Sequence, residues 1–141
     1  MTAVVVDTNI VFSAIIGRRS RIAEILISSQ NIRFYTSDYM FDELKTHHGK
    51  LKKVSGMSDK DIDIAKYELF KYIHFVTLET IPKLYWRQAE PLVADIDIKD
   101  LPFVALSLYL DAYLWTGDKP LYAGLKAKGF CNVISTGEFK P

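Results

Sequence analysis

The sequence predicts an α/β fold: a single domain with a central, mainly parallel sheet flanked by helices. Three observations predict it. A continuous apolar, β-branched run, Ala3-Val4-Val5-Val6, stands near the start of the chain and reads as a strand buried on both faces, as in parallel sheets. Segments with helical periodicity then alternate with short strand-like segments. Finally, Leu101 to Leu110 is apolar almost all round, which suits a helix packed deep against a sheet.

The elements follow in order. Asp7-Thr8-Asn9 ends the first strand, and a short helix runs to Gly17. Ile22, Ile25, Leu26 and Ser29 carry a second helical stripe, and Ile32-Arg33-Phe34-Tyr35 is the second strand. Ser37 is expected to cap, with Asp38 in its first turn, a helix running past Glu43 towards Gly49 or Lys53. Ser58-Asp59-Lys60-Asp61 opens another helix in the manner of a capping box, with Asp replacing the usual Glu or Gln. Its apolar stripe is Ile62, Ala65, Leu69 and Tyr72. His74-Phe75-Val76 is a short third strand, and Pro82 to Val93 a helix whose end is limited by Pro91. A polar loop spans Asp95 to Lys99. After the apolar helix, Ala112 to Thr116 is a strand, Gly117-Asp118 a tight turn, and Pro120 to Lys128 a helix ended by Gly129. Asn132 to Ser135 is the last strand. No repeat, low-complexity stretch or linker interrupts residues 1–141, so one domain is expected.

Composition sets the outer limits. Of 141 residues, 49% are hydrophobic and 25% charged, the balance of a folded globular chain. The single Cys131 excludes an internal disulfide and any zinc site built on two or more cysteines; it reads as a small apolar residue beside the last strand. No apolar run reaches the length of a membrane span and no basic-then-apolar leader opens the chain, so a cytoplasmic location is expected. Lys and Arg total 18 and Asp and Glu 17, a net charge of +1. Without a global basic surplus, any contact with nucleic acid must come from local patches.

In open α/β sheets, ligands gather beyond the carboxyl ends of the strands. Asp7 and Asp118 fall there, while Glu43 and Asp100 belong to helix starts at the same edge, with Asp97 three residues before Asp100. At about 4 Å, two carboxylates repel by on the order of 4 kcal/mol in a protein-like dielectric. A cluster of them is therefore sensible only with a divalent cation, and oxygen donors without a matching His or Cys set point to Mg²⁺ or Mn²⁺. Taken singly, each acid has a plainer reading: Asp7, Asp118 and Asp100 as helix caps, the last with Pro102 in its first turn, and Glu43 as a solvated residue. Helical geometry favours Glu43 for the inner side, because it borders the face of Met40 and Leu44 while Asp42 points away. His47 and His48, adjacent on one helix, point in different directions and read as surface residues. Tyr85-Trp86 reads as core or as a stacking pair.

Combined, these pieces resemble a known family. Val4-Val5-Val6-Asp7-Thr8-Asn9, then Ser37 with Glu43, then Asp97 and Asp100 before an apolar helix, then Leu114-Trp115-Thr116-Gly117-Asp118 are similar to the PIN domain over residues 3 to about 136. The resemblance implies a small α/β ribonuclease in which Asp7, Glu43, Asp100 and Asp118 are the catalytic, metal-binding acids and Asp97 an additional one. It implies Mg²⁺ or Mn²⁺ as cofactor and Thr8, Asn9 and Thr116 as residues that orient carboxylates or waters. Many PIN domains are VapC-type toxins, so an RNA substrate, an antitoxin protein and a second copy of the chain are the implied partners. The basic residues after the first helix (Arg18, Arg19, Arg21) and those after Glu43 (Lys45, with Lys50, Lys52 and Lys53) are the candidate phosphate contacts. The chain departs from the family at Ser107 and Asp111, where many relatives have Ala and Gly; Asp tolerates a left-handed turn. A strand ending in Asp also opens certain phosphatases, but those need a second acid where Asn9 stands. The alternative within the family is a catalytically silent module that binds RNA or protein.

Overall fold

The computed structural model describes residues 2–17 and 20–139. Its centre is β1 (Thr2–Val6), whose Val4, Val5 and Val6 are all buried. Burial on both sides explains why this strand reads as an uninterrupted apolar run rather than an alternating one. β2 (Ile32–Ser37) and β4 (Tyr113–Trp115) pair with it in parallel on either side. β3 (Ile73–Val76) lies outside β2, and β5 (Val133–Ile134) outside β4, giving the all-parallel order β3-β2-β1-β4-β5. Val4 lies opposite Phe34 and Tyr113, and Val6 opposite Trp115. Strand order therefore reverses between β1 and β4. Such a switch point opens a crevice at the carboxyl edge of a sheet, and Asp7 and Asp118 follow these two strands.

Helices cover the sheet in two groups. α1 (Thr8–Ile16) packs against α2 (Arg21–Ser28), α3 (Tyr39–Thr46), α4 (His48–Ser55) and α5 (Asp59–Phe70). α7 (Leu101–Leu110) lies across β1, β2 and β4 and against α6 (Lys83–Val93), which also meets α8 (Lys119–Ala127). Phe103 to Ser107 of α7 are buried. Each large apolar side chain removed from water contributes roughly 1.5–3 kcal/mol, so this helix is a principal anchor of the fold. It ends at Asp111, whose φ of 50° is left-handed. The Ser107 hydroxyl then donates to the Ala112 carbonyl at 2.5 Å, and the Ala112 N–H to the Ser107 carbonyl at 2.9 Å. The two departures from the family pattern thus act together in one helix terminus. In α8, a Cβ on Gly124 would stand 2.4 Å from Ile96 Cδ1; glycine admits the loop that carries Asp97.

Several local expectations are corrected. Ser37 does not cap a helix: it is the buried last residue of β2, and its hydroxyl has no partner. Asp38 precedes α3 but accepts from the Leu78 N–H at 3.1 Å instead of capping. The single helix expected past Glu43 is two helices divided at His47, within Thr46-His47-His48-Gly49, a run of weak helix formers. Tyr72 lies beyond α5 and is exposed. The helix expected to end at Val93 does so, with Pro91 in its last turn. Cys131 is exposed, not packed beside β5. Among the described residues, no helix is long and apolar enough to cross a membrane.

Candidate metal centre

Asp7 leaves β1 in extended conformation, and its Oδ1 accepts from the Ile10 N–H at 3.0 Å, capping α1. Asp118 does the same for α8, accepting from the Leu121 N–H at 3.0 Å, while its own N–H donates to the Thr116 hydroxyl at 3.0 Å. The capping readings of these acids therefore hold for one carboxylate oxygen each. Asp100 differs. It occupies the cap position of α7, but its backbone is helical and its side chain makes no cap bond. Its Oδ2 is buried without a partner. Asp97 caps the short 3-10 turn Ile98–Asp100 through the Lys99 N–H at 3.0 Å.

Glu43 comes from the inner side of α3, beside buried Met40 and Leu44, and accepts a 2.5 Å hydrogen bond from the Thr8 hydroxyl. Asp42 is exposed. Asp7, Glu43, Asp97, Asp100 and Asp118 all line one pocket of about 190 Å³, together with Thr8 and Asn9. Thr116 is buried beneath it, its hydroxyl between Asp7 and the Asp118 N–H.

This grouping strains the charges. Burial pushes the Asp7 carboxyl up to about 6; the Thr116 hydroxyl and the Ile10 N–H oppose the rise, and Asp118 and Glu43 add to it. Burial also pushes Asp100 up to about 7, with Asp7, Asp97, Asp118 and Glu43 adding repulsion. Nearby Tyr39 is raised by burial and then by Glu43, Asp42, Asp97 and Asp100 in turn. Among the described residues, no three or more His, Cys, Asp or Glu side chains are placed to hold a metal ion as they stand. The donor set is nonetheless oxygen-rich, excessively anionic and left with an unpartnered buried oxygen, a chemistry that fits a hard divalent cation.

The predicted basic contacts fare differently. Arg18 and Arg19 lie outside the described residues. Arg21 donates to the Phe139 carbonyl at 3.1 Å and lies 3.6 Å from Glu24, in a separate cavity beside Ile32 at the amino end of β2. Lys45 is exposed on α3 and does not line the acid pocket. His47 and Lys99 do line it, and neither was among the residues singled out as ligands or contacts. For Lys99 the signal is its place between Asp97 and Asp100; for His47 it is its place four residues after Glu43, on the same helical face.

A sequence model of the PIN domain matches residues 5–135. The chain belongs to the PIN domain family. The matched span of this PIN domain contains all five acids of the pocket. Its fold is shared with the crystal structure of VapBC2 from Rickettsia felis bound to a DNA fragment from their promoter, at a TM-score of 0.68 and 16% identity, over 95% of this chain and 97% of that one. It is also shared with a toxin–antitoxin complex from Klebsiella pneumoniae, at a TM-score of 0.65 and 16% identity, over 96% and 99% of the respective chains. At this identity the likeness is one of fold. No curated protein matches the sequence.

Proposed function

We propose that this PIN domain is a ribonuclease that hydrolyses RNA phosphodiester bonds with Mg²⁺ or Mn²⁺ held among Asp7, Glu43, Asp100 and Asp118, Asp97 being a further acid of the same site. The observation that carries the reading is the buried, unpartnered Asp100 Oδ2 in a pocket with four other carboxylates. Buried anions without partners are expensive, and a bound cation would offset this one. When bound, such a cation lowers the pKa of its water and offsets charge on the phosphoryl oxygens.

The chain's own residues supply position. The helix-cap bonds of Asp7 and Asp118 fix each carboxylate through one oxygen. Thr8 holds Glu43 in place across the gap between α1 and α3. His47 and Lys99 bring basic groups to the pocket wall, where a phosphodiester must rest against surplus negative charge. We further propose that the chain acts in the cytoplasm as one domain and as the toxin of a toxin–antitoxin pair, with an antitoxin protein and a second copy as partners. The shared fold with two solved toxin–antitoxin complexes supports that assignment.

The test is cleavage of single-stranded RNA by the purified chain with Mn²⁺. Cleavage that stops with a chelator and in Asp118→Asn is the expected result. RNA binding without cleavage at any Mg²⁺ or Mn²⁺ concentration would instead establish the silent module. For the toxin assignment, expression of the wild type but not of Asp118→Asn arrests growth.

A further inference from the structure

Beside the acid pocket lies a second cavity of about 390 Å³, between α1 and the α3–α4 junction. It falls within the roughly 300–1,000 Å³ range of small-molecule sites. The two spaces share Thr8, Asn9, Glu43 and His47, so a group held in the second adjoins whatever is held in the first. Its walls combine flat rings, amide and hydroxyl groups and a cation. Phe12 and His47 meet edge to face, with ring centroids 6.1 Å apart and planes at 64°, forming a corner. Asn9 and Ser13 stand one turn apart on α1, both exposed, and Phe12 lies on the same side of the helix. Lys50 lines the cavity from α4.

Helical spacing produces this arrangement. His47 stands four residues after Glu43 and its N–H donates to the Glu43 carbonyl at 3.0 Å, so the two side chains share one face of the helix. His47 itself has φ −99° and ψ 13°, in the sparsely populated bridge region of backbone space, where α3 gives way to α4. Ile10, Val11, Ala14 and Ile15 keep the opposite stripe of α1 in the core.

We propose that this cavity is a nucleobase subsite, which takes the unpaired base next to the phosphodiester being cut. The proposal rests on the nuclease reading above and deepens it by assigning a base contact beside the acids. The base stacks in the Phe12–His47 corner, Asn9 and Ser13 meet its hydrogen-bonding edge, and Lys50 neutralises the adjoining phosphate. Every base has a stackable face, but only an unpaired one leaves its duplex to use this corner.

The test uses short single-stranded RNA oligonucleotides with one cleavable linkage, carrying either a full or an abasic nucleotide on one side of it. Wild type, Phe12→Leu and Lys50→Ala are compared for cleavage with Mn²⁺ and for binding by fluorescence anisotropy. Removing the base on one side should raise the wild-type KM by about tenfold, within the range of base–aromatic stacking. Phe12→Leu should show a similar rise with the full substrate and little further loss with the abasic one, because both changes remove the same contact. Lys50, exposed on α4, should affect KM and its salt dependence without altering the base effect. Thermal melting checks that Phe12→Leu folds.

Unchanged cleavage by Phe12→Leu, with the abasic penalty intact, overturns the subsite and leaves the nuclease; it assigns the cavity to a protein contact instead. Base-dependent, Phe12-dependent binding without cleavage keeps the subsite and overturns the nuclease. Absence of both binding and cleavage overturns both. Equal cleavage of a matched duplex and its single strand removes the requirement for an unpaired base.

Discussion

Two sets of aspartates in this molecule sit in opposite electrostatic company. Asp59, at the start of α5, lies 2.7 Å from His48 and 3.2 Å from Lys52. Those hydrogen bonds, His48 first, hold its carboxyl below the usual range. Asp95 pairs with Lys128 to the same effect. Asp7 and Asp100, by contrast, are buried among other acids and rise to about 6 and about 7. The outer pairs are electrically complete and face solvent, where such contacts add little stability. The inner set is incomplete: protons balance its charge at low pH, and the proposed cation would balance it near neutrality. A carboxylate's neighbours, rather than its residue type, mark it as structural or functional here.

The largest expected effect breaks the inner set directly. Asp7→Asn and Asp118→Asn each keep the cap, since Asn caps helices as well as Asp, yet cleavage should fall by at least about 10²–10³-fold, the scale of losing a principal electrostatic group. Circular dichroism should be unchanged; undiminished cleavage by both variants would remove the acids from the mechanism. Next, Thr8→Val severs the hydrogen bond to Glu43 and should lower activity by roughly 10–100-fold, the effect of losing a group that orients a metal ligand, with Mn²⁺ affinity falling in parallel. A wild-type affinity would show that Glu43 needs no such support.

Stability should respond to pH in the same sense. Asp7 and Asp100 are raised from 3.8 in the folded chain, so between pH 3.8 and about 7 the folded state binds more protons than the unfolded one. Stability is therefore greatest at the acidic side of that window and is lost as pH rises through it. The metal-free melting temperature should fall by roughly 5 °C between pH 5 and pH 8 from this contribution. Mn²⁺ should restore it at pH 8 and do little at pH 5, and Asp100→Asn should flatten the pH dependence while abolishing the metal effect. A metal-free protein that gains stability from pH 5 to pH 8 in wild type and Asp100→Asn alike would contradict the assigned repulsion. The smallest effect belongs to the outer set: Asp59→Asn should leave cleavage unchanged and shift melting by no more than about 2 °C.

Much of this organisation is legible in the sequence because burial writes it there. Val4-Val5-Val6 and Leu101–Leu110 are apolar on all sides because sheet and helices enclose them, and their boundaries follow directly. Asp7 and Asp118 are visible because each immediately follows a strand and opens a helix. What the pattern hides is how exposed segments break and turn. Nothing in hydrophobic periodicity separates α3 from α4, since Leu44 and Leu51 are buried on either side of the break. His47 reads as a surface residue, although its place four residues after Glu43 sets it on the pocket side of the helix. Ser37 has the chemistry of a cap and the position of a strand end, and the sheet pairing of Ser37 with Val76 prevails. Asp100, equally placed to cap, makes no cap bond and leaves an oxygen unpaired, because its helical backbone turns the side chain away from the geometry a cap requires.

The most direct measurement is calorimetric titration of Mn²⁺ into the wild type and into Asp7→Asn/Asp118→Asn at neutral pH. Saturable binding by the wild type, accompanied by proton release as Asp7 and Asp100 ionise, and lost in the double variant, is the predicted result. No binding by the wild type, with or without RNA, would contradict a metal centre and return Asp7 and Asp118 to the role of helix caps.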